Sequence, residues 1–174
     1  MDRESPIFNQ NIAIYPSIAT FGTLVARLDP ASNPSTHLQA TVLMDLCCSI
    51  SRDLAYLDRL MEDVGAALKG AASYHTQWAS EVRKTATGSL NQVNSYIASK
   101  IPGTAQPLFK AQDPSKFASK LKVSDAMKDI TSVAALQQQL VAAHAGLVSA
   151  MGLMHRLAIQ RDGLVGNQEE RRMS

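Results

Sequence analysis

Charge is scarce in this chain. Asp, Glu, Lys and Arg make up 18% of its 174 residues, below the roughly one quarter of an ordinary globular domain. An unusual share of the surface must therefore be neutral or covered, which points to assembly. The few charges are interspersed and leave a net charge of +2, so no basic patch marks a nucleic-acid partner. Peripheral contact with a membrane is not excluded by that balance.

Cysteine is almost absent too. The only two, Cys47 and Cys48, are neighbours, and on a helix their side chains diverge by about 100°, too far for a structural disulfide. Their spacing fits neither a redox motif nor a metal site, so one thiol is expected in the core and one near the surface. A reducing compartment is compatible with this usage. Aromatic residues are 5% of the chain, with a single Trp; alanine-lined helices pack closely and leave little room for a large ligand pocket. No glycine-rich phosphate loop, HExxH or ExxH spacing or nucleophile turn occurs. No cofactor, metal or catalytic residue is assigned.

A secretory signal is not expected either. MDRES is followed from Ser5 to Ala26 by a charge-free stretch that contains Pro6, Asn9, Gln10, Asn11 and Pro16, unlike a positive segment leading directly into an unbroken apolar one. Cytoplasm, or the interior of an assembled particle, is the expected location.

What is present is helical periodicity. Residues 1–34 read as an extended arm, broken by Pro6, Pro16, Pro30 and Pro34, with one short helix near Ser17 to Leu28. Residues 35–163 read as a bundle domain. Ser35 or Thr36 can cap a first long helix with a stripe at Leu38, Val42, Leu46, Ile50, Leu54, Leu57, Met61, Val64 and Leu68, and Gly70 is a plausible stop. A second long helix carries Tyr74, Trp78, Val82, Ala86, Leu90, Val93 and Ile97 and ends before Pro102 and Gly103. A hairpin near Gly70 is favoured over one bent helix. A connector from Pro102 follows, and Asp113–Pro114 opens a short helix holding Phe117 and Leu121. The lysines at 110, 116, 120 and 122 read as a solvated surface. Ser124 then caps a third long helix reaching Arg161, and residues 164–174 form a polar tail. The fold class is all-α: an antiparallel bundle of three long helices plus a short fourth, with an extended N-terminal arm.

No Asp, Glu, Lys or Arg lies between Ile130 and His155. Gln137 to Gln139 and His144 interrupt that stretch, leaving less than the ~20 apolar residues a bilayer requires, so no transmembrane span is expected. One face carries Leu136, Leu140, Leu147, Met151 and Met154, another Ala135, Ala142, Ala143, Gly146 and Ala150. Such a helix needs protein on several sides. His144 and His155 share a face but stand about 16 Å apart along it, so they cannot bind one metal. Asp53, His75 and His144 fall inside three apolar faces and form the one candidate polar cluster, expected to be buried and to fix helix register.

These features lead to a non-catalytic structural subunit that self-associates into a larger particle, of coat, shell or secretion-apparatus type. Ile12, Ile14 and Phe21 on the arm and Ala142, Gly146 and Ala150 on the third helix are the candidate contacts between subunits, with other components of the assembly as further partners. The alternative is a helical adaptor or chaperone holding a partner segment in a groove adaptably lined by Met127, Met151 and Met154. A third reading, an enzyme using Asp53, His75 and His144, has less support.

Overall fold

The computed structural model describes residues 14–31, 33–65, 73–101, 104 and 123–173, the segment from 161 onward by its backbone alone. The described residues are mostly helical, with no strand among them. In chain order the helices are α1 (Pro16–Val25), α2 (Pro34–Gly65), α3 (Ser73–Lys100), α4 (Val123–Met127) and α5 (Ile130–Met173). Residue 12, the expected short helix at 113–121 and the four connector lysines lie outside the described residues.

Local chemistry sets the helix starts. The Asn33 side-chain oxygen accepts the Thr36 N–H at 3.3 Å, and Pro34 occupies the first turn, where its missing N–H costs nothing. Asn33 is therefore the cap, not Ser35 or Thr36. Near residue 129 the structure departs from the single helix expected from Ser124 to Arg161. Asp129 Oδ1 accepts the Ser132 N–H at 3.1 Å and Oδ2 accepts the Ser132 hydroxyl at 2.7 Å. That carboxylate caps a new helix and separates α4 from α5. At its far end α5 continues to Met173, through the stretch expected to be a tail. Gly163 and Gly166 each disfavour helix by about 1 kcal/mol, and the good helix formers from Gln168 to Arg172 offset this.

α1 receives its cap from elsewhere in the fold. Tyr15 at its N-cap makes no side-chain capping bond. Instead Asn94 Oδ1 on α3 accepts the N–H groups of Ser17 at 3.0 Å and Ile18 at 3.4 Å. Further on, the Thr20 hydroxyl donates to the Thr104 carbonyl. Ile18 and Phe21 are fully buried. The arm's helix is thus part of the core.

Pairs of touching residues give the helix directions. Gln137 reaches the carbonyl of Gln39, His144 meets Asp53, and His155 meets Tyr56, so α5 runs in the same sense as α2. α3 runs the other way: Lys100 pairs with Asp129 at the start of α5, while Val82 faces Gly146 further along. α2 and α3 therefore run in opposite senses, and the expected turn near Gly70 lies outside the described residues. An ion pair between Asp58 and Arg83 joins them.

The seam has a seven-residue period. Leu43, Ile50, Leu57 and Val64 are buried on α2, Ala79, Ala86 and Val93 on α3, and Val133, Leu140, Leu147 and Met154 on α5, the spacing of interlocking side chains between nearly aligned helices. Leu38 and Val42 lie about 120° and 80° away from Ile50 around α2. Both are exposed, as are Tyr74 and Trp78 on α3, which corrects their expected place in the buried stripes.

Candidate functional site

Asp53 and His144 come from the middles of α2 and α5, where seven-residue packing fixes both backbones. His144 Nε2 lies 2.9 Å from Asp53 Oδ2, and Arg52 Nε contacts Oδ1 of the same carboxylate at 3.4 Å. The side chains keep 13% of their exposure at Asp53 and 34% at His144, so the pair sits at the edge of the core. A hydrogen bond there satisfies two polar groups that would otherwise be left partly desolvated.

His75 does not join them. Seven residues before Val82 on α3, and with Val82 opposite Gly146, it stands about 13 Å along the axis from the level of His144. Its ring packs edge-on against Tyr74, with centroids 5.9 Å apart. The expected trio is therefore a pair, half-buried rather than enclosed. Among the described residues no three of His, Cys, Asp and Glu gather where they could hold a metal ion.

A second link lies beside the pair. The Tyr56 hydroxyl and His155 Nε2 are 2.8 Å apart, with ring centroids 5.5 Å apart. His144 and His155 thus both bond to α2, through residues only one turn apart. Spacing puts the two histidines on one face; Tyr56, their further partner on α2, is marked in the sequence only by its spacing of three from Asp53.

The candidate subunit contacts separate. Ile14 is exposed, whereas Phe21 and Ala150 are fully buried in the chain's own core; both are core residues and not surface ones. A Cβ on Gly146 would meet Val82 Cγ1 at 3.4 Å, an ordinary contact distance, so this position faces α3 without requiring a glycine. Ala142 is exposed and lines a groove of about 370 Å³ between α3 and α5, with Trp78, Glu81, Val82 and Gly146. The methionines expected to line a groove serve the core instead: Met127 and Met154 are buried, and Met151, partly buried, packs against the core. Cys47 is buried and Cys48 half-buried, both as free thiols. Burial, with Cys48 alongside, pushes the Cys47 thiol up to about 12; burial and then Asp45 raise Cys48.

Most of the large exposed apolar side chains share one face. Leu38, Val42 and Tyr56 on α2 and Ile130, Val141, Val148 and Ile159 on α5 are all exposed. On α5 they lie next to the line of Gln137, His144 and His155 that meets α2, so they flank the α2–α5 groove. The stretch Ile130–Gln160 is long and apolar enough to cross a membrane by length and composition, with 28% of its most apolar window buried. Compared with known proteins, the chain matches no family model, and neither a curated protein nor a solved structure proved significantly similar to it.

Proposed function

We propose that this chain is a non-catalytic structural subunit that self-associates, in the cytoplasm or within an assembled particle such as a coat, a shell or a secretion apparatus. Its form in this reading is an antiparallel bundle of three long helices, braced by the short α1. The observation that carries the proposal is the face shared by α2 and α5, where Leu38, Val42, Ile130, Val141, Val148 and Ile159 stand exposed along one side of the molecule. Exposed apolar side chains gathered on one face are the feature by which a place where another molecule docks is recognised. Asp53 and His144 act in this reading as a register pin between α2 and α5, not as an acid–base pair. Against lipid, α5 would have to carry Gln137 to Gln139 and His144 into hydrocarbon; against protein, Gln137 and His144 keep their bonds to α2.

Size-exclusion chromatography with light scattering tests the proposal. A mass at least twice the 18.8 kDa of one chain is expected at micromolar concentration, and a single-chain mass up to about 100 µM sinks it.

One observation favours a second reading, a helical adaptor. The groove between α3 and α5, lined by Trp78, Val82, Ala142 and Gly146, has room for an apolar side chain of a partner segment. Stoichiometric capture of one foreign chain, abolished by Ala142→Trp, would support the adaptor over the self-assembling subunit.

A further inference from the structure

We infer that the α2–α5 face pairs with the same face of a second copy, antiparallel, about a two-fold axis that passes close to Ala145. This rests on the self-association proposed above and specifies its geometry.

The register of the two helices supplies the axis. Contacts between α2 and α5 join residues 98, 91 and 99 apart in sequence, an average offset of about 96. The level of Ser49 on α2 is therefore that of Ala145 on α5. On the outer edge of α2, Asp45 and Arg52 are exposed and of opposite charge, and the point midway between them is at this same level. An antiparallel two-fold there sets each Asp45 against the other copy's Arg52, twice. It also sets α5 against α5 over a stretch with no charged residue from Ile130 to His155. Asp53 is engaged by His144 and Asp58 by Arg83 within the chain; of the further charges, Arg59 falls opposite the other copy's Leu38, and Arg156 opposite the other copy's Ala134. At the axis itself sits Ala145, exposed and small enough for two helix backbones to approach. From Ile130 to Ile159 the face is about 44 Å long. With two helices about 9 Å apart it is wide enough to bury roughly 800 Å² per copy, the size of a standard stable interface. A membrane would use the apolar strip and leave the Asp45 and Arg52 arrangement without a role.

Two variants test the geometry on the full chain. Val141→Arg with Val148→Arg puts four like charges around the axis on half-exposed positions. Ala145→Cys in a Cys48→Ser background should form a disulfide with its own copy under mild oxidation, and Arg59→Cys in the same background should not. The inference expects light scattering to show the arginine variant's mass falling at least twofold at unchanged helicity, and Ala145→Cys to run as a dimer on a non-reducing gel. If the arginine variant fails to fold, the cross-link alone decides. Persistence of the assembly in the arginine variant, or absence of the Ala145 cross-link while the parent remains multimeric, overturns this geometry and leaves self-association standing. A parent chain that is monomeric overturns both readings. A parent chain that floats with phosphatidylcholine vesicles in place of associating makes lipid the occupant and likewise overturns both.

Discussion

Asp53 and His144, ninety-one residues apart in sequence, hold α2 to α5 through a 2.9 Å hydrogen bond at the margin of the core. The pair is too shielded to be a surface ornament and too open to be a buried ion pair. In a double-mutant cycle with Asp53→Ala and His144→Ala, the coupling energy should be about 1 kcal/mol. Urea denaturation of the two single variants and the double variant measures it, and strictly additive losses would show that the contact contributes nothing.

Asn94 performs for α1 the task that a Ser, Asp or Asn at the helix start would normally perform. Asn94→Ala leaves the Ser17 and Ile18 N–H groups without their acceptor and should destabilise the fold by about 1–2 kcal/mol. Asn94→Asp keeps an acceptor and adds a favourable charge at a helix N-terminus, so it should recover most of the loss. Limited proteolysis at residues 26–31, just beyond α1, should accelerate in the alanine variant and not in the aspartate one.

The thiols give a pH dependence with a definite sign. Cys47 is held up to about 12 in the folded chain against an ordinary 9.0, chiefly by burial. A raised folded value means the folded state keeps its proton when the unfolded chain has lost it. Stability from this group is complete below about pH 9 and declines as pH climbs from there towards 12. Urea midpoints should fall between pH 8 and pH 10.5, less steeply in Cys47→Ala. Burial also raises Tyr15 and Tyr96, so the phenolate absorbance of these two should lag behind that of free tyrosine. At pH 8, iodoacetamide should label Cys48 slowly and Cys47 only after unfolding.

Gly88 lies within α3, and a Cβ built on it meets nothing within 4 Å. Gly88→Ala removes backbone freedom from the unfolded chain without crowding the folded one. It should stabilise by roughly 0.5–1 kcal/mol, visible as a higher melting temperature; a lower one would mean that α3 is not packed as described.

Much of this was legible in the residues. The seven-residue recurrences of Ile50, Leu57 and Val64 or of Leu140, Leu147 and Met154 announce long helices and their buried edge, and Pro102–Gly103 announces where α3 must stop. The approach of Asp53 to His144 was foreseeable because each lies inside an apolar stripe. His75 was not separable from them, since periodicity gives the angle of a residue around its helix and not its height against a neighbour. The same limitation hid the α1 cap, because Asn94 acts across 77 positions and leaves no local trace. Leu38 and Val42 misled for a different reason: spacings of four and three tolerate a drift of tens of degrees per turn, enough to carry the end of a stripe out of the seam.

The dependence of α1 on distant partners orders events during synthesis. Its residues leave the ribosome before those of α3, yet Thr20 finds its acceptor 84 positions later and Ile18 its cap 76 positions later. Until α3 has been translated, the Ser17 and Ile18 N–H groups lack the acceptor that caps them. α1 is therefore made before α3 and settles after it, and a chain truncated before residue 94 would leave this helix without its cap, open to chaperones and to its neighbours.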